Sequence, residues 1–177
     1  MAEPTTPLPA AKAFAEDERS VLIGYLDYHR AVLARKAEGV TEEQARLAAC
    51  PPSDLTLLGL IRHMADVERN WFRRALMGEE IGPIHYGEAH PDGDEDGDFH
   101  PPPGATLAEA FASYRAEIEA ADRNIAACSL DDLQRWTRGD SAPSTLRRII
   151  VHLIEEYARH CGHADLLRQA IDGSVGD

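Results

Sequence analysis

Basic residues, thiols and long apolar runs are all scarce in this sequence, and each shortage removes a class of function. Lys and Arg number 18 against 31 Asp and Glu, for a formal charge of −13 and a pI near 5.0. Such a chain repels nucleic acid and anionic lipid at long range. The longest apolar runs, such as residues 57–61 and 149–151, fall far short of the roughly 20 residues that span a bilayer. No basic-then-apolar leader opens the chain, so the cytoplasm is the expected compartment. Cys50, Cys128 and Cys161 are odd in number and contain no CxxC pair, which fits a reducing compartment and neither a disulfide scaffold nor a zinc finger. No Ser-His-Asp or nucleophilic-Cys signature stands out, and no Gly-rich phosphate loop follows a strand. Cys50 precedes Pro51-Pro52 in a connector without an identified activating base, which makes it weak evidence for catalysis. No catalytic residue is assigned.

What is present is a folded chain of helices. At 177 residues with 44% hydrophobic and 28% charged residues, residues 1–177 read as one domain with a sizeable core. Three prolines in the first dozen residues predict an extended segment over residues 1–14. From Asp17, Val21, Leu22, Tyr25, Leu26, Tyr28, Val32 and Leu33 recur at helical spacing until Gly39. Thr41 and Gln44 have capping-box spacing. Ser53 is the expected N-cap of a second long helix, marked by Leu57, Leu60, His63 or Met64, Val67 and Trp71 and ending near Gly78. Thr106 and Glu109 form another capping-box pair before a third helical face. After Pro143, apolar spacing from Leu146 to Leu167 predicts a helix of about 28 residues ending at Gly173. Four long helices and almost no strand signal point to an all-α bundle. Residues 82–104, rich in Gly, Pro, Asp and His, predict a long acidic loop between the second and third long helices that covers a site.

Chemistry concentrates on the last helix. His152, Glu156, His160 and His163 fall within an arc of about 80° at about 100° per residue, so they share one face. Glu156 and His160, four residues apart, can reach one ion together, and a third ligand must come from another helix. His63 leads, because an imidazole on the mostly apolar face beside Leu60 and Val67 needs a partner. Three protein ligands leave an open position for water or substrate. His163 is an alternative ligand or an outer partner, and His152 is weaker; Asp66, Glu155 and Arg159 are candidates to orient ligands or hold substrate. The competing reading is that these are hydrogen-bonded structural histidines and a solvated glutamate. Asp92, Asp94, Asp96 and Gly97 match the start of a calcium loop, but Pro103 occupies the position of its bidentate Glu, so a solvated acidic loop is the better reading. Trp71 and Phe72, like Tyr25 and Tyr28, read as core or pocket-wall aromatics.

The segments SDLTLLGLIRHMADVERNWF and TLRRIIVHLIEEYARHCGHADLLRQAIDG, the opening ERSVLIGYLD helix and the acidic D-x-D-x-D-F-like loop resemble the DinB/YfiT-like superfamily, in particular its actinobacterial mini-circle-type branch. The resemblance covers nearly the whole chain. It implies a four-helix bundle in an up-down-down-up arrangement, often a homodimer, with a divalent metal held by three side chains of the second and last long helices. By motif position these are His63, Glu156 and His160, the pattern of the mycothiol-dependent maleylpyruvate isomerase type. The extra His163 leaves the choice of ligand open. Several relatives are thiol S-transferases or isomerases, which implies a metal such as Zn or Ni, mycothiol as co-substrate, and Arg159 as a partner for a substrate carboxylate. A non-catalytic, stress-linked metal-binding bundle and a metal-dependent hydrolase are the alternatives.

Overall fold

The computed structural model describes residues 6–8 and 17–176. Most of the predicted N-terminal extended segment lies outside the described residues; within it, Thr6 donates hydrogen bonds to the Glu38 carboxylate and Leu8 packs on the core. The described chain is all-helical, its one extended pairing an isolated bridge between Leu133 and Thr145. The helices are α1 (Glu18–Ala37), the short α2 (Glu42–Ala45), α3 (Leu57–Glu68), α4 (Leu107–Ala126) and α5 (Leu146–Asp172). A π-helical stretch, Arg69–Ala75, prolongs α3 without a break.

Local signals set most of the ends. Asp17 caps α1, Thr41 and Thr106 form complete capping boxes with Gln44 and Glu109, and Thr145 caps α5. Gly173 closes α5 at φ 77°, a left-handed conformation open to glycine at little cost. The start of α3 corrects the expectation of a Ser53 cap. Thr56 caps this helix by accepting from the Gly59 N–H, while the Ser53 hydroxyl accepts from the Leu55 N–H two residues on. Starting later brings Leu57 and Leu58 into the core from the first turn, at 1% and 0% exposure.

The helices pack as α1 on α5 and α3 on α4, and α3 also meets both α1 and α5. Leu26, Leu33, Leu58, Ile61, Met64, Phe72, Ile150 and Leu153 lie in the shared apolar core. A polar clamp runs through it. Arg30 of α1 donates two hydrogen bonds, 2.8 and 2.7 Å, to the carboxylate of Glu68 on α3, which is 0% exposed. Tyr157 of α5 donates to the same carboxylate at 2.7 Å, and Tyr114 of α4 donates to the Arg30 carbonyl at 3.2 Å. A buried ion pair contributes less to stability than to the uniqueness of the packing, because desolvation offsets much of its Coulomb energy. Here the pair joins α1 to α3, and the Tyr157 bond joins α3 to α5, the helices that carry His63 and His160.

Candidate metal centre

His63 on α3 and Glu156 and His160 on α5 come together with their donor atoms all within 4.8 Å of one another. As a group they could hold a metal ion. The Nδ1 of His63 lies 2.7 Å from a carboxylate oxygen of Asp98, so this nitrogen carries the proton and donates it, leaving Nε2 as the free lone pair. The ring also stacks on Phe99, with centroids 4.1 Å apart and planes inclined by 22°. On α5, His160 Nε2 is 3.5 Å from a Glu156 oxygen, and its Nδ1 meets Nδ1 of His163 at 3.3 Å. Burial, reinforced by the neighbouring His63, His163 and Arg159, pushes the His160 imidazole down to about 3. It is therefore neutral at physiological pH, the form in which imidazole donates to a metal. Two imidazoles and one carboxylate make a donor set suited to a borderline divalent ion.

A family model described as mycothiol-S-transferase matches residues 21–173. The chain belongs to the mycothiol-S-transferase family. The match bears out the DinB/YfiT-like resemblance over nearly its whole extent. No curated protein matches the chain.

In this mycothiol-S-transferase family member the loop between the π-helical stretch and α4 is tied to one side of α3. The Asp66 carboxylate accepts the backbone N–H groups of Ile84 and His85 at 2.6 and 3.1 Å. Arg62 donates to the carbonyls of Gly97, Asp98 and His85. Gly59 lets the strap lie flat, since a Cβ there would sit 2.6 Å from the Phe99 carbonyl oxygen. Asp98 and Phe99 are thereby held against His63. Burial raises the Asp66 carboxyl to about 6 despite those two N–H donors. Asp66 is thus a loop anchor and stands outside the three-residue cluster.

The other predicted residues spread around this core. His163 contacts His160 and stands outside the three-residue cluster. His152 packs edge-on to Trp71 with centroids 4.7 Å apart, its Nε2 4.0 Å from Glu156. Arg159 pairs with Glu155 at 3.0 Å and Glu156 at 3.5 Å on its own helix. Asp94 is occupied by His100 at 2.7 Å and by the Asp96 N–H, so the acidic loop closes on itself as a solvated turn. Cys161 is buried near the His29 carbonyl, and desolvation pushes its thiol up to about 12, which makes it unreactive. Sequence reasoning missed Asp98; the available signal was its place in the D-x-D-x-D-F-like run, directly before the aromatic that covers His63.

An open cleft of about 220 Å³ lies beside the cluster, lined by His63, Trp71, Tyr86, Asp98 and Phe99 among others. His63 sits at its edge, 17% exposed by side chain, and not in the bundle interior. The core side of α3 is already filled by Leu58, Ile61, Met64 and Ala65. His63 is therefore reached from solvent through this cleft.

Proposed function

We propose that this chain is a divalent-metal-dependent thiol S-transferase that uses mycothiol or a similar low-molecular-weight thiol. The convergence of His63, Glu156 and His160 beside an open cleft carries this reading, and the family match gives it the thiol. In the proposal Nε2 of His63, a Glu156 oxygen and Nε2 of His160 are the ligands of a zinc or nickel ion. A divalent ion there lowers the pKa of a thiol that meets it and so raises the fraction of nucleophilic thiolate.

The remaining roles belong to the protein. Asp98 keeps the proton on Nδ1 of His63, His163 orients His160 from behind, and Phe99 fixes the plane of His63. Arg159 holds Glu156 in place and leaves the substrate carboxylate to other cations. The architecture proposed is the up-down-down-up four-helix bundle, as a homodimer in the cytoplasm, with no nucleic-acid or membrane partner. No helix among the described residues is long and apolar enough to cross a membrane.

The test is elemental analysis of the wild type beside His63→Ala, Glu156→Ala and His160→Ala, followed on the same samples by thiol consumption with mycothiol and an electrophile. The expected outcome is about one metal per chain in the wild type, lost in each variant together with turnover. Metal binding without thiol-dependent turnover would refute the S-transferase assignment. A wild type that takes up no zinc or nickel on reconstitution would refute the metal centre itself.

A further inference from the structure

The cleft beside His63 does not end at Trp71. It continues into a groove of about 620 Å³ that shares Asn70, Trp71, Tyr86 and Glu95 with it. The π-helical stretch and the acidic loop form two walls. The third comes from the α4–α5 connection and the first turn of α5. This groove gathers the guanidinium groups of Arg74, Arg138 and Arg148, with Glu95 as its one carboxylate. Such a local excess of positive charge stands out on a chain of net charge −13.

These cations are not consumed by the fold. The Arg74 guanidinium carbon sits over the ring of Trp136, 4.0 Å from its centroid, a contact that uses the ring face and none of the N–H donors. Arg148 donates only to the neutral hydroxyl of Ser144, at 3.1 Å. Six other arginines, Arg30, Arg69, Arg73, Arg147, Arg159 and Arg168, hold carboxylates of the protein itself. Free guanidiniums flanked by two indoles suit a flat, unsaturated or aromatic body bearing a carboxylate. Mycothiol carries no carboxylate, so the groove does not match the thiol.

We infer that the Arg74–Arg138–Arg148 groove is the binding site for the second reactant, an aromatic or unsaturated carboxylate whose electrophilic carbon is directed toward the His63 end of the cleft. The inference rests on the S-transferase reading for its chemistry. With a chloroarene as electrophile, the thiol loses its proton to solvent, a new C–S bond forms at the ring carbon, and the C–Cl bond breaks to release chloride. The thioether and HCl account for every atom, and no oxidant or reductant is needed.

The experiment is isothermal titration of the metal-loaded protein, without thiol, with 4-chloro-3-nitrobenzoate and with its uncharged counterpart 1-chloro-2-nitrobenzene. The carboxylate is expected to bind at least about tenfold more tightly, and Arg138→Gln and Arg148→Gln each to weaken it by roughly three- to tenfold while leaving the neutral compound unchanged. Both arginines are solvent-exposed, so the variants are expected to keep the wild-type helical circular dichroism. Equal binding of the two compounds, or carboxylate binding indifferent to both variants, overturns the groove assignment. Mycothiol is then added and chloride release measured. Charge-selective binding without chloride release upholds the anion site and overturns the S-transferase reading, so the two failures are distinguishable.

Discussion

Replacing Asp98 with Asn probes how much of the metal centre depends on a residue that touches no metal. The Asp98 carboxylate receives the His63 Nδ1 proton at 2.7 Å, with side-chain exposures of 10% and 17% for the two groups, so water competes poorly for either. Its second oxygen accepts the Phe99 N–H at 3.1 Å. An amide of the same shape keeps one acceptor but loses the charge, and it cannot serve both donors with oxygen. Outer partners of metal-binding imidazoles are worth about 10- to 100-fold in metal affinity. Asp98→Asn is therefore expected to weaken zinc binding by about tenfold, or about 1.4 kcal/mol, and Asp98→Ala by nearly 100-fold, about 2.7 kcal/mol. Phe99 still stacks on His63 in both variants and prevents complete loss of the site. The assay is competition with a chromophoric zinc chelator. Asp94→Asn is the control, since Asp94 makes an equally short 2.7 Å contact with His100 in the same loop but is not part of the cluster. Zinc affinity within twofold of wild type in Asp98→Asn, or an equal loss in Asp94→Asn, would refute the reasoning.

Further outcomes follow from the same geometry. Arg30→Met strands the fully buried Glu68 carboxylate and is expected to cost about 3–5 kcal/mol in denaturant unfolding, whereas Tyr157→Phe removes one hydrogen bond to a charged group and costs about 1.5–3 kcal/mol; the reverse order would refute the clamp. Gly59→Ala forces a Cβ to 2.6 Å from the Phe99 carbonyl, so it should lower the melting temperature and weaken metal binding together, both measurable on one sample. In the metal-free protein His160 and His85 lie near 3 and 4, below the ordinary 6.5 because of burial. Their contribution is present above about pH 6.5 and is lost as the pH falls toward those values. Asp66, raised from 3.8 to about 6 by burial, acts in the opposite sense, its contribution being present below 3.8 and lost as the pH rises through 6. The melting temperature should fall from pH 7 to pH 4, less steeply in His160→Gln and more steeply in Asp66→Asn.

Much of the fold was legible because it is written locally. Capping boxes at Thr41 and Thr106 and the glycine stop at 173 mark ends through contacts three or four residues apart, a distance that sequence spacing resolves. The α3 start was misplaced because Ser53 and Thr56 are both good caps, and the choice depends on which start buries Leu57 and Leu58. The π-helical stretch has no composition of its own and was invisible. On α5 the shared face of Glu156 and His160 followed from helical geometry. The partner of His63 did not, since Asp98 is 35 residues away and is placed by a loop that the sequence shows only as acidic and irregular. Glu68 reads as an ordinary helical glutamate, and only the approach of Arg30 and Tyr157 from two other helices reveals it as fully buried.

The strap over α3 divides the cleft into two parts with different freedom to vary. Gly59, Arg62, His63 and Asp66 occupy two consecutive turns of one helix, and each meets the backbone or a side chain of residues 84–99. A change on either partner therefore demands a matching change on the other, and a loop transplanted from a relative would have to bring those turns with it. The opposite wall, from Gln134 to Arg148, meets neither His63 nor its loop partner Asp98. Under the S-transferase proposal, new co-substrates are accommodated by exchanging residues in that connection alone, which makes it the place to begin directed evolution of specificity while the His63 half is kept constant.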